Sequence, residues 1–282
     1  MSFFNNSRYM RSAVILALLL FISCSENNKT SSVKETPTQS TALLIDTSIT
    51  MISPDFAPTR IKAVVERLKK IINNKDKNES FSVIVFSGNS YIHCPLTANK
   101  EKLLSAVSEI EKYCMSLNPG TNIPEGLLNA AYSLNNVDSG KSILIFSDGP
   151  TNVNTYSPKL ATAVLLTENI KLNAVIISPK KYELLPDRAD INGNLIFKKI
   201  KVKPIDKQLI EISSQTKGVY KIVNTPGDIN NFNIPVYTDS SNPPNSDVAT
   251  FYTDAVTIEK IYSELEQNNL QVKIKMKSSS SL

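Results

Sequence analysis

Histidine is almost missing from this sequence: His93 is the only one. Serine or cysteine nucleophiles need a base within hydrogen-bonding reach, and one imidazole in the whole chain leaves little room for that chemistry. Cys94 follows His93 directly, but neighbours on a strand point to opposite faces, so His93 is read as structural. Cysteine is scarce too, with three residues in all. Cys94 and Cys114 bracket a helical pattern over residues 99–113, and a helix rising about 1.5 Å per residue would hold the two thiols beyond disulfide reach. There is no glycine-rich phosphate loop, and no apolar run has the roughly 20 residues of a membrane-spanning helix. The net charge of +5 is spread along the chain. Its densest run, residues 198–203, alternates as an exposed strand face would, which predicts a solvated surface rather than a nucleic-acid site.

The N-terminus supplies an address. Arg8 and Arg11 precede an apolar run over residues 13–22, then Ser23 and Cys24, the layout of a signal peptide. Phe21-Ile22-Ser23-Cys24 resembles the lipobox of bacterial lipoproteins, with Phe21 where leucine is usual. The resemblance implies that residues 1–23 are removed and that Cys24 is lipidated, which would place the protein in the bacterial cell envelope. It would be anchored there by acyl chains, on the periplasmic face of a membrane or at the cell surface. Residues 24–40 are rich in Ser, Thr, Asn and Lys and read as a flexible tether.

The remainder is ordinary globular material, at 41% hydrophobic and 20% charged residues. Apolar runs at 41–45, 142–146, 172–177 and 218–223 read as strands, and 82–86 with 91–94 as a hairpin about Ser87-Gly88-Asn89-Ser90. Helical spacing marks residues 58–72, 99–113, 123–134, 158–167 and 205–216. This alternation predicts an α/β fold: a doubly wound, mainly parallel sheet with one antiparallel edge strand. Ligands of such sheets lie at the carboxyl ends of the strands.

Oxygen-bearing side chains gather at those ends. Asp46, Ser48 and Thr50 follow the first strand, Thr121 precedes the third helix, and Asp148 follows the strand at 142–146. Residues at i, i+2 and i+4 of an extended or looping segment project to one side, so the first three could converge on one ion. Two carboxylates and three hydroxyls make a hard-oxygen set suited to a small divalent cation such as Mg²⁺. Each residue also has an ordinary explanation, since Asp46 or Asp148 could cap a turn and Thr121 a helix.

Asp46-Thr47-Ser48-Ile49-Thr50, Gly120-Thr121-Asn122 and Ser147-Asp148-Gly149, in that order, resemble the metal-ion-dependent adhesion site (MIDAS) of von Willebrand factor type A (vWA) domains. Ser53-Pro54-Asp55-Phe56-Ala57-Pro58-Thr59-Arg60, Phe86-Ser87-Gly88 with Cys94-Pro95-Leu96-Thr97, and Gly126-Leu127 are similar to bacterial aerotolerance-operon (Bat-type) vWA proteins. The resemblance covers residues 41–223 and implies a Rossmann-like domain without enzymatic activity. It implies a cation, Mg²⁺ or else Mn²⁺ or Ca²⁺, held by Asp46, Ser48, Thr50, Thr121 and Asp148. A protein partner would add a carboxylate to that ion, within a Bat-type stress-tolerance complex. The sequence departs from the family in two ways. Thr50 stands where a second Ser is usual, keeping the hydroxyl and adding a methyl, and no membrane-spanning helix flanks the domain.

Three other readings use the same residues: a metal-independent scaffold, a surface adhesin, and a phosphotransferase of the haloacid dehalogenase type. The last wants a second acid where Ser48 stands, so its general acid/base is missing. Beyond the core, residues 224–250 read as a loop or insertion and 251–282 as a closing helix with a C-terminal tail. Thr225-Pro226-Gly227-Asp228 is the alternative start for that helix.

Overall fold

The computed structural model describes residues 38–153, 155–202 and 204–237. The signal segment, Cys24, nearly all of the tether and the expected closing helix lie outside the described residues. Eight strands are described: β1 (Gln39–Asp46), β2 (Glu79–Phe86), β3 (Ser90–Thr97), β4 (Gly140–Ser147), β5 (Ile170–Ile177), β6 (Tyr182–Ala189), β7 (Leu195–Lys201) and β8 (Tyr220–Val223). The α-helices are α1 (Arg60–Asn74), α2 (Lys100–Ser108), α3 (Ile123–Ser133), α4 (Pro158–Thr167), α5 (Gln208–Gln215) and α6 (Pro226–Asn230).

Six strands form one sheet in the order β3-β2-β1-β4-β5-β8, and every neighbouring pair is parallel except β2 with the edge strand β3. This is the doubly wound sheet that the sequence predicts. All eight residues of β1 are buried, as expected of a parallel strand covered on both faces. Alternate residues serve two cores. Ala42 and Leu44 join Leu127, Leu160 and Leu209 under α3, α4 and α5, while Leu43 and Ile45 join Ile61, Val64, Leu68 and Leu103 under α1 and α2. Burying one such side chain contributes about 1.5–3 kcal/mol, so the central strands are the most strongly held part of the domain.

The two halves of the winding meet between β1 and β4, whose pairing runs from Gln39 opposite Gly140 to Ile45 opposite Phe146. In open α/β sheets the crevice for ligands opens at this switch point. Asp46 ends β1 and Asp148 follows β4, so the topology brings these two acids to one place.

Three expectations change. The helix expected over 99–113 is interrupted: α2 ends at Ser108 and a 3₁₀ segment, Ile110–Met115, follows. Cys94 and Cys114 are free and buried. Residues 198–201 of the alternating lysine run lie in strand β7, as the pattern indicates, but its partner β6 has no alternation of its own, and together they form a separate two-stranded ribbon. Part of the expected loop at 224–250 is helical. Thr225 and Asp228 close a capping box on α6, so the signal weighed as the alternative does start a helix. The chain then returns along the far end of the sheet, where Tyr237 donates its N–H to Gln39 Oε1 at 2.8 Å and its hydroxyl to Asn173 Oδ1 at 2.7 Å.

Candidate metal centre at the carboxyl edge of the sheet

Asp46 is fully buried, and both its oxygens are used. Oδ1 accepts the backbone N–H of Ser48 at 2.8 Å, which bends the chain sharply after β1. Oδ2 accepts the hydroxyl of Ser147, the last residue of β4, at 2.6 Å. Ser48 then leads into a 3₁₀ turn, Ile49–Ile52, and this turn sets the Ser48 and Thr50 hydroxyls side by side. Ser48 Oγ and Thr50 Oγ1 are 3.0 Å apart, and Thr50 donates to Asp148 Oδ1 at 2.9 Å. Asp46, Ser48, Thr50 and Asp148 are thus linked by two short relays that meet at the β1 and β4 ends.

Thr121 arrives from the other side of the cleft. Its backbone N–H donates to Asn152 Oδ1 at 2.8 Å and its carbonyl accepts from the Asn152 N–H at 2.9 Å. This two-point clamp ties the loop before α3 to the loop after β4. Two glycines let the segment lie so close: a Cβ on Gly88 would stand 2.3 Å from the Pro119 carbonyl oxygen, and Gly120 has φ +120°. Ser87 donates to the carbonyls of Asn118 and Gly120, fixing the loop from below. Thr50, Thr121 and Asp148 all line one cleft of about 360 Å³, whose far wall is Ile176, Leu185, Val202, Ile205 and Leu209.

Burial pushes the Asp46 carboxyl up to about 7, and the nearby charge of Asp148 adds to the rise, against the hydrogen bonds from Ser147 and Ser48. Cys114 is also pushed up, to about 12, first by burial and then by the charge of Asp46. Its thiol therefore stays protonated and inert. The donor chemistry fits a hard cation: carboxylate and hydroxyl oxygens converge, and a positive ion would relieve the repulsion between two buried acids. Among the described residues no group of three His, Cys, Asp or Glu side chains gathers as a metal site, so hydroxyls would have to supply much of any coordination here.

Arg60 is the residue that the candidate set omits. Only 1% exposed, it donates from Nη1 to Asp148 Oδ2 at 2.6 Å and grips Asp55 through Nε and Nη2 at 2.8 and 2.5 Å. Burial opposes its charge, but Asp55 and Asp148 outweigh it and hold the guanidinium above its ordinary value. Glu183 on β6 lies 3.4 Å from Nη2, and the Leu184 N–H donates to Asp55 at 3.0 Å. The ribbon of β6 and β7 is thereby joined to the site.

Residues 41–150 match the von Willebrand factor type A domain family. The chain carries a vWA domain. Solved structures share its fold. An aerotolerance-related membrane protein from Bacteroides fragilis is 20% identical with a TM-score of 0.56, over 68% of this chain and 94% of that one. BatB from Bacteroides thetaiotaomicron is 17% identical with a TM-score of 0.55, over 82% and 99%. A vWA protein from Catenulispora acidiphila is 17% identical with a TM-score of 0.51, over 69% of this chain and 40% of that one. No curated protein sequence matches the chain.

Of the five residues expected to ligate an ion, the vWA domain links Asp46, Ser48, Thr50 and Asp148 by hydrogen bonds and sets Thr121 in the same cleft as Thr50 and Asp148. His93 is engaged elsewhere, with Nδ1 at 2.9 Å from the Tyr113 hydroxyl and Nε2 at 3.1 Å from the Ala106 carbonyl. Among the described residues no helix is long and apolar enough to cross a membrane.

Proposed function

We propose that this protein is an envelope lipoprotein, anchored through Cys24, whose vWA domain binds a protein partner by way of a divalent cation. Asp46, Ser48, Thr50, Thr121 and Asp148 would hold the ion, Mg²⁺ or else Mn²⁺ or Ca²⁺, some of them through water. The ion would supply an open coordination position, and a carboxylate of the partner would fill it. The observation that carries this reading is the chain of contacts from Ser48 through Thr50 to Asp148, beside Asp46 and Ser147, at the mouth of a cleft. Carboxylate and hydroxyl oxygens are the donors that a small hard cation takes.

The likeness to an aerotolerance-related Bacteroides protein supports placing the partner in an envelope complex linked to stress tolerance. The reading assigns no catalytic step: Ser48 has Thr50 for its neighbour rather than a base, and His93 is held by Tyr113 and Ala106. A metal-independent scaffold is the second reading, and the contact of Arg60 with Asp148 is what favours it.

Calorimetric titration with Mg²⁺ and Mn²⁺ decides between them. Binding by the wild type that disappears in Asp46→Ala and Asp148→Ala supports the cation site, and binding that is absent or unaffected by both changes refutes it. Pull-down from detergent-solubilised membranes, with and without chelator, then tests whether partner capture depends on the ion.

A further inference from the structure

Arg60 places a permanent positive charge against one of the two acids that a divalent ion would use. It opens α1, where the helix terminus already carries partial positive charge, and its side chain is 1% exposed. A guanidinium there needs acids around it, and three meet it. Asp55 takes two of its donors side by side, Asp148 takes a third, and Glu183 stands at the outer edge, 14% exposed. Asp148 divides its oxygens accordingly: Oδ1 accepts from Thr50, inside the candidate ligand set, and Oδ2 accepts from Arg60, outside it. Any cation drawing on Asp148 therefore faces a like charge across a single carboxylate.

We propose that Arg60 is a resident counter-ion that sets the cation affinity of the site, competing with the divalent ion for Asp148 while Asp55 and Glu183 hold it from the other side. This rests on the cation site proposed above. A purely positioning role for Arg60, in which it only aims Asp148, predicts the opposite sign, because removing an aiming residue weakens binding. The competing role predicts tightening, since two charges on the ion and one on the guanidinium repel at short range in a poorly screened site.

The test is calorimetric titration of the purified full chain with Mn²⁺ at pH 8, with folding of each variant checked by thermal melting. Arg60→Gln keeps hydrogen-bond donors and removes the charge, and it is expected to tighten Mn²⁺ binding about tenfold or more. Arg60→Lys keeps the charge and is expected to stay within about threefold of wild type. Glu183→Gln removes an outer acid, commits the guanidinium more fully to Asp148, and is expected to weaken binding about threefold. Unchanged or weaker binding in folded Arg60→Gln, with wild type binding, overturns the counter-ion role and leaves the cation site standing. Should Arg60→Gln fail to fold, Glu183→Gln carries the test, and unweakened binding there overturns the proposal. Binding by Arg60→Gln but not by wild type supports competition by Arg60 for Asp148 and, by the criterion above, refutes a cation site in the wild-type protein. Binding by neither folded protein brings down the cation site and this inference together.

Discussion

Ser147 donates its hydroxyl to Asp46 Oδ2 at 2.6 Å, with both residues fully buried. The bond joins the ends of β1 and β4 and stabilises the charged form of the acid. Ser147→Ala removes that donor and leaves Asp46 with Ser48. The expected loss is about 1–2 kcal/mol of stability, and the Asp46 carboxyl should hold its proton still more tightly. Thermal melts and Mn²⁺ titrations at two pH values check both, and an unchanged melt with an unchanged pH midpoint would remove Ser147 from the site.

Asp46 itself makes the domain sensitive to pH. Its carboxyl is raised to about 7, well above the ordinary carboxylate range, by burial and then by the charge of Asp148. The folded state thus binds this proton more tightly than the unfolded chain does. Between about pH 4 and 7 the slope of stability against pH is negative for this group, so the ion-free protein loses stability from it as pH rises. Cation binding needs the ionised form and should strengthen over the same range. Asp46→Asn keeps the shape, and the Ser147 hydroxyl can turn to accept from the new amide. Urea denaturation without metal at pH 5.5 and 8 is expected to show wild type weakening relative to Asp46→Asn, and the reverse order would contradict the burial argument.

The sheet was legible in the sequence because parallel strands buried on both faces are written as unbroken apolar runs, as in Leu43, Leu44 and Ile45. The acids at its carboxyl edge were legible because the spacing of Asp46, Ser48 and Thr50 survives in the turn that follows β1. Arg60 was harder to see, since an arginine opening a helix usually reads as surface. Its signal is its place on the stripe with Val64 and Leu68, four and eight residues on, which face the core. A charge on that stripe requires a buried partner, and Asp55 lies five residues earlier. Nothing local announces Glu183, which comes from β6, more than a hundred residues on, where the Leu184 N–H meets Asp55.

Thr50 tests how much of the site depends on one hydroxyl. It meets Ser48 at 3.0 Å and donates to Asp148 at 2.9 Å, so it ties the first loop to the last. Thr50→Val keeps the volume and deletes the hydroxyl; Mn²⁺ affinity is expected to fall about tenfold or more, because Asp148 also loses a donor. Thr50→Ser restores the oxygen without the methyl and is expected to bind within about threefold of wild type. Equal binding by the Val and Ser variants would show that the hydroxyl contributes nothing to the ion.

Two glycines at the edge of the same cleft should respond in opposite ways to a methyl group. Gly120 has φ +120°, and a Cβ there would stand 2.4 Å from Val153 Cγ2, so Gly120→Ala combines an unfavourable backbone region with a clash. The expected cost is about 2 kcal/mol or more. The strain would fall on the loop that carries Thr121, so cation affinity should drop along with stability. Gly149 follows Asp148 directly, yet a Cβ there meets nothing within 4 Å. Gly149→Ala is therefore expected to change stability by no more than about 0.5 kcal/mol. Denaturant unfolding of the two variants in parallel measures the contrast. Comparable losses in both would mean that the loop after β4, rather than the approach of Gly120 to Val153, limits how tightly this edge of the domain can pack.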